Sequence, residues 1–175
     1  VETLLVKLWY PCTVASKSLY VNKMLTKHAR ETDVPDYWVN FAYHNFGDRG
    51  STSVEAAALG GAAHLIFFKG TDNFNSLRFI DRYYPSGPGA MGFSIPATEH
   101  STVTSWGKDW EKAMIRNYIK TNAGSHKLIA CVLDSYDIYE AVNFVTIAPD
   151  IREVLELTGT TLVMRPDSGN PIDVI

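Results

Sequence analysis

The 175 residues carry a formal net charge of −3, with 46% hydrophobic and 12% aromatic side chains. That is enough apolar material for a core, and the acidic balance, with no run of Lys or Arg longer than a pair, argues against a nucleic-acid-binding surface. No apolar stretch is long enough to span a membrane, and Cys12 and Cys131, lying in apolar surroundings without metal-ligand spacing, read as reduced core thiols of a cytoplasmic protein.

In chain order, Leu4 to Tyr10 is apolar and β-prone, and Pro11 is expected to close it as a strand. Ala15, Leu19, Asn22, Leu25 and Ala29 recur at helical spacing, with Ser16 or Ser18 as possible caps. A turn with Pro35 follows. Tyr37 to Tyr43 reads as a strand ending in the glycine-bracketed loop His44 to Gly50. Thr52-Ser53-Val54-Glu55 is a capping box. It opens a helix of small residues that Gly60-Gly61 either ends or opens to close approach by another backbone. Leu65 to Phe68 is expected as a short buried strand with Lys69-Gly70-Thr71-Asp72 at its tip. Phe74, Leu77, Ile80 and Tyr83 predict a helix face, and the prolines and glycines of Tyr84 to Met91 predict a loop.

Gly92 to Thr102 is the stretch around which the rest is arranged. It reads as a strand leaving a core and ending in Glu99, His100 and two hydroxyls. Trp110, Met114, Ile115, Tyr118 and Ile119 predict an amphipathic helix. Leu128 to Leu133 is a continuous apolar run, as in a strand buried on both faces. Ser135-Tyr136-Asp137 opens a helix, Ile151 to Leu157 forms the next, and Gly159 ends it. Thr161 to Met164 is expected as a last buried strand with the tip Arg165 to Gly169. Strands alternating with helices predict an α/β fold with a parallel sheet, and polar strand ends are where a βα barrel keeps its active site. Val1 opens in mid-pattern and Ile175 stops as a new element begins, which reads as a fragment.

Five strings carry a resemblance: His44 to Gly50, Phe68 to Asp72, Ser94 to Thr102, Asp134 to Tyr139, and Arg165 to Pro171. In order and approximate spacing they resemble the middle portion of the nicotinamide phosphoribosyltransferase family. That resemblance implies that residues 1–175 are the central part of an irregular βα barrel of the type II phosphoribosyltransferase kind, in a homodimer with a shared active site. It implies condensation of nicotinamide with 5-phosphoribosyl-1-pyrophosphate, with Mg2+, to give nicotinamide mononucleotide and pyrophosphate. ATP is an implied facultative co-substrate, phosphorylating an active-site histidine.

Carried over by position, the resemblance makes Phe46 the ring stacked on the pyridine, and Arg49 a phosphate contact whose guanidinium fork suits phosphate oxygens. Asp72 would accept from the nicotinamide amide and repel the carboxylate of nicotinate. Equally, it could cap the helix that starts at Asn73. Ser94 is a second amide contact, or a strand-end hydroxyl bonded to backbone. His100 matches the phosphorylated histidine, its neutral imidazole being a nucleophile. Glu99 is adjacent, but consecutive strand residues point apart, so the orienting group is expected elsewhere. Asp137 matches a carboxylate near that histidine or the metal, and otherwise reads as a helix cap. Arg165 and Asp167 match contacts to the pyridine–phosphate and ribose regions, or form a local ion-pair turn. No direct metal ligand is expected; Mg2+ would be held mainly through phosphate and water, with Asp137 and Asp167 as possible contacts.

Two positions depart from the family's pattern. Leu133 stands where animal members have a serine, and Asp48 replaces an aromatic. Rival readings are a nicotinate phosphoribosyltransferase and a catalytically incomplete nucleotide-binding βα fragment.

Overall fold

Helices set out the chain, and very short parallel strands join them. The computed structural model describes residues 1–85 and 92–175, so most of the loop expected at Tyr84–Met91 lies outside the described residues. The chain divides into two units, Val1–Ser94 and Ile95–Ile175.

The first unit opens with α1 (Glu2–Glu31), which runs through Pro11. The strand expected at Leu4–Tyr10 is therefore helical. A seven-residue apolar run carries no period that separates strand from helix, and one proline removes a single hydrogen bond without ending a long helix. Ser16 and Ser18 lie inside α1 rather than capping it, and Ser18 is buried. Leu4, Leu5, Leu8 and Trp9 are exposed, and so is Cys12, contrary to its reading as a core thiol. Arg30 pairs with Asp36 at 2.7 Å across the turn that contains Pro35.

The expected strand Tyr37–Tyr43 is replaced by a one-turn helix, α2 (Asp36–Val39), followed by turns. Strand β1 is only His44–Asn45. Helix α3 (Val54–His64) is capped by Ser53, which accepts from the Ala56 N–H, so the cap sits one residue beyond the Thr52 of the expected box. Gly60 and Gly61 do not end the helix. Leu65 to Phe67 form a turn rather than a buried strand, and the strand is β2 (Gly70–Thr71). Phe68 is buried beside Ala29 and Val39 in a small core. Helix α4 (Phe74–Tyr83) is where the spacing predicts, but Phe74 and Tyr83 of its apolar face are exposed and Ser76 is the buried residue. β1 and β2 pair in parallel, and Phe93 adds a parallel bridge to Gly70.

The seam between α3 and α4 is tight. A Cβ on Gly61 would lie 2.5 Å from Asn73 Nδ2 and 2.6 Å from Ser76 Cβ, both on buried residues. A Cβ on Gly60 would meet the far end of Tyr10, whose side chain is 40% exposed and can turn away. In a helix interior Gly→Ala gains about 1 kcal/mol. At Gly61 overpacking reverses the sign, so Gly61→Ala is expected to destabilise by about 1–3 kcal/mol. Gly60→Ala is expected to be neutral or slightly stabilising. Thermal melts of the two variants check this, and equal midpoints would sink it.

Near the start of the second unit, Ala97 is bridged in parallel to Ala130. Buried Thr98 accepts from the Val132 N–H at 2.9 Å through its hydroxyl, fastening this segment to the strand beside it. The expected strand ends here. His100 starts a short helix, α5 (His100–Thr104), with Glu99 and Thr102 as its capping box. A 3-10 turn (Lys108–Trp110) leads into α6 (Glu111–Asn122), as the spacing predicts. Strand β3 (Leu128–Val132) is buried over Ile129 to Val132. Helix α7 (Ile138–Ile147) follows, then α8 (Pro149–Thr158), which stops at Gly159 in the left-handed region with φ 62°. Gly takes that conformation without the penalty a Cβ brings.

Strand β4 (Thr161–Arg165) pairs in parallel with β3, Leu128 opposite Thr161 and Val132 opposite Arg165. It was expected to be buried, but Thr161, Val163 and Met164 are exposed. It lies at one side of this pair, so only β3 is covered on both faces. A final turn, α9 (Pro171–Val174), is capped by Asn170. The core of this unit gathers Ile115, Ile119, Ile129, Val132, Leu133 and Ile151 between α6, β3, α7 and α8. Each unit is thus a set of parallel extended segments joined through helices.

Candidate functional site

In the first unit, the ends of three extended segments bring four side chains together. Asp72 follows β2, and its backbone N–H donates to Asn45 O at 3.0 Å. Its carboxylate Oδ1 receives Ser94 Oγ at 2.5 Å and lies 3.0 Å from His44 Nε2. The His44 ring in turn lies 4.5 Å from the Phe46 ring, centroid to centroid, tilted by 35°. Asp72 is not the helix cap. Asn73 takes that role, accepting from Ser76 N–H at 3.1 Å, so the Asp72 carboxylate is left to side chains. Phe46 is exposed, as a ring that receives a flat ligand must be.

The loop after Phe46 is pinned. The Gly47 N–H donates to Asn45 Oδ1 at 2.8 Å, and Asp48 accepts from Asn75 Nδ2 at 3.0 Å. Asp48, the departure from the family's pattern, therefore serves to fasten the loop. Arg49 sits exposed at its tip.

In the second unit the centre is Asp134, a residue that the sequence reading did not single out. Its side chain is 5% exposed. Oδ1 lies 2.9 Å from His100 Nε2, while Oδ2 accepts from the Asp167 N–H at 2.8 Å and from Ser168 Oγ at 2.6 Å. Burial alone would push this carboxyl up; the hydrogen bonds from Ser168, Asp167 and His100 overcome that and bring it down to about 2. Asp134 is therefore ionised at neutral pH and can only accept, so His100 Nε2 is the donor and the lone pair of the neutral ring is on Nδ1. That nitrogen lies 3.8 Å from Asp167 Oδ2. The orienting group for His100 is thus distant in sequence, and Glu99 is occupied at the α5 cap. A signal for Asp134 did exist: it is the first carboxylate after the apolar run Leu128–Leu133, at a strand C-terminus.

Asp137 is the N-cap of α7 and accepts from Glu140 N–H at 3.0 Å. It is Asp134, three residues before that cap and just beyond the end of β3, that reaches His100. Arg165 ends β4, with Nη2 3.9 Å from Asp167 Oδ2. Leu133 is fully buried in the core, so its side chain packs rather than facing a ligand.

A profile of the nicotinate phosphoribosyltransferase (NAPRTase) family matches residues 41–175. The chain belongs to the nicotinate phosphoribosyltransferase family. Within that family it is 44% identical over 175 residues to a protein of Xanthomonas campestris pv. campestris named nicotinamide phosphoribosyltransferase, covering 99% of this chain and 37% of that one. Proteins of the same name from Acinetobacter baylyi and Mycoplasma genitalium are 30% and 29% identical, over 100% and 97% of this chain and 35% and 34% of theirs. The chain spans about a third of the length of these relatives. No described helix is long and apolar enough to cross a membrane.

Proposed function

We propose that this chain supplies the pyridine-binding groups and the phosphoryl-accepting histidine of a cytoplasmic nicotinamide phosphoribosyltransferase. It would condense nicotinamide with 5-phosphoribosyl-1-pyrophosphate to give nicotinamide mononucleotide and pyrophosphate, in salvage of NAD. The observation that carries the reading is Asp72, a carboxylate held by Ser94 and His44 one ring away from exposed Phe46. A carboxylate accepts from an amide NH2 and repels another carboxylate, so it selects nicotinamide over nicotinate. The name of the matching family favours nicotinate as the second reading.

The pyridine nitrogen already has a lone pair, so no general base is required. It attacks C1 of the ribose as the bond to pyrophosphate breaks, and the electron pair leaves with the pyrophosphate. Phe46 would align the ring, Asp72 and Ser94 its amide, and Arg49 and Arg165 would offset phosphate charge. His100 Nδ1 would attack the γ-phosphorus of ATP, with ADP leaving, and water would later release the phosphate from the ring.

Among the described residues, no three His, Cys, Asp or Glu side chains converge to cage a metal. Mg2+ is commonly held by one or two carboxylates plus substrate phosphates and water, so the donor set fits it in that form. Asp167, half exposed, would hold it, with Asp137 less suited because its carboxylate is engaged at the cap. The ion would supply countercharge to the leaving pyrophosphate. By its resemblance the chain is read as the central part of an irregular βα barrel, and the active form as a homodimer.

The test is an assay of the full-length protein with phosphoribosyl pyrophosphate, Mg2+ and either pyridine. Product from nicotinamide alone is expected. Turnover of nicotinate alone would move the protein to the second reading, and no product from either would overturn both.

A further inference from the structure

The His44 ring is built into its place. It leaves β1 across Gly70, and a Cβ on Gly70 would lie 2.7 Å from His44 Nδ1 and 3.3 Å from Cγ, so only glycine there lets the ring lie so close to β2. The parallel register puts His44 opposite Gly70 and Asn45 opposite Thr71, one residue short of Asp72. From that seat Nε2 reaches Asp72 Oδ1 at 3.0 Å, and the ring stands 4.5 Å from Phe46. The His44 side chain is 24% exposed, against 43% for Asp72, so the imidazole is the more enclosed partner.

Ser94 and His44 fall on the same oxygen of Asp72. Two donors fill the acceptor capacity of Oδ1, and Oδ2 is then the oxygen with lone pairs for a ligand N–H. Without His44, one short hydroxyl contact would leave the carboxylate free to rotate about its bond to Cβ.

We propose that His44 is a positioning residue for amide recognition: it fixes the Asp72 carboxylate so that Oδ2 is presented to the substrate amide, and it backs the Phe46 ring. This rests on the nicotinamide reading above and names the group that sets its selectivity. His44 itself need touch no reacting atom.

The experiment is calorimetric titration of the full-length protein, wild type and variants, with two pyridines. One is nicotinamide. The other is 3-acetylpyridine, which keeps the ring and carbonyl but has a methyl in place of NH2 and cannot donate to Asp72. His44→Ala is expected to weaken nicotinamide by roughly 10-fold to 100-fold and 3-acetylpyridine by no more than roughly 3-fold, because only the first loses a charge-assisted hydrogen bond. His44→Gln, whose amide nitrogen reaches about where Nε2 lies, is expected to recover nicotinamide binding to within roughly 3-fold of wild type. His44→Asn is polar but too short, and is expected to behave like the alanine variant; it carries the test if His44→Ala does not fold.

Equal weakening of both pyridines would show a merely structural role and overturn the proposal while leaving the functional reading intact. So would a glutamine variant no better than asparagine. A wild-type protein that does not bind nicotinamide would overturn the functional reading and this one with it.

Discussion

Replacing Asp134 by Asn is expected to slow the proposed ATP-dependent phosphorylation of His100 severely while sparing much of the synthesis that proceeds without ATP. The carboxylate accepts from three donors, His100 Nε2, the Asp167 N–H and Ser168 Oγ, at a site only 5% exposed. An asparagine of the same size has one carbonyl and one NH2. If the carbonyl serves the Asp167–Ser168 side, the NH2 faces Nε2 and imposes the other tautomer. Nδ1 then carries the proton and has no lone pair for phosphorus. In a serine protease the wrong tautomer at a comparable histidine costs roughly 10^4-fold; a loss of roughly 10^2-fold to 10^4-fold in phosphoryl transfer is expected here. Labelling with ATP carrying a radioactive γ-phosphate reads it directly, and wild-type labelling in the variant would end the argument.

The same substitution has a stability signature. The carboxyl of Asp134 is lowered to about 2 in the folded chain, below the ordinary aspartate range of about 3.9. A group depressed on folding contributes stability above its unfolded value, and that contribution is lost as pH falls through the folded one. The stability gap between wild type and Asp134→Asn is therefore expected to be fully present above about pH 5 and to narrow as the pH falls to about 2. Denaturant titrations across that range check the sign; a gap that widens toward acid would contradict it.

The second large effect is expected from Asp72→Asn. Its amide removes the repulsion toward nicotinate and offers that carboxylate an N–H, while nicotinamide loses a charged acceptor. Asp72 is 43% exposed, so solvent moderates the electrostatic part, and the hydrogen-bonding part decides the size. The ratio of kcat/KM for nicotinamide to that for nicotinate is expected to fall by roughly 10^2-fold. An unchanged ratio would remove Asp72 from substrate selection.

Some of these candidate residues could be named before any coordinates, and others could not, for identifiable reasons. Asp72 and His100 sit at polar ends of apolar segments, a contrast visible in one dimension, whereas Phe46 and Ser94 were indicated by the resemblance alone. Asp134 was hidden because its importance comes from partners 33 and 34 residues away along the chain. For Asp137 two readings stood side by side, since a carboxylate at a helix start has the same surroundings in sequence whether it caps or reacts, and the structure places it at the cap. The strands at Leu4–Tyr10, Tyr37–Tyr43 and Leu65–Phe68 failed together. In each, aromatic and branched residues suggested pleated structure, but the actual paired segments around Asp72 are only two residues long and carry almost no pattern. By contrast α6, α7 and α8 were legible because burial on one face imposes a period, and β3 because burial on both faces makes its run continuously apolar. The exposure of β4 was missed because an apolar run looks the same with one face covered as with two.

The seam between α3 and α4 has a genetic meaning. Asn73 caps α4, and its Nδ2 donates to Ala57 O in α3 at 2.8 Å, immediately after Asp72 in the chain. Strands of two residues are too short to hold Asp72 still, so the helix seam that Gly61 keeps closed must do it. Natural variation at Gly61 or Ser76 would then surface as conditional alleles: competent at low growth temperature, and losing discrimination between pyridines on warming before losing the fold.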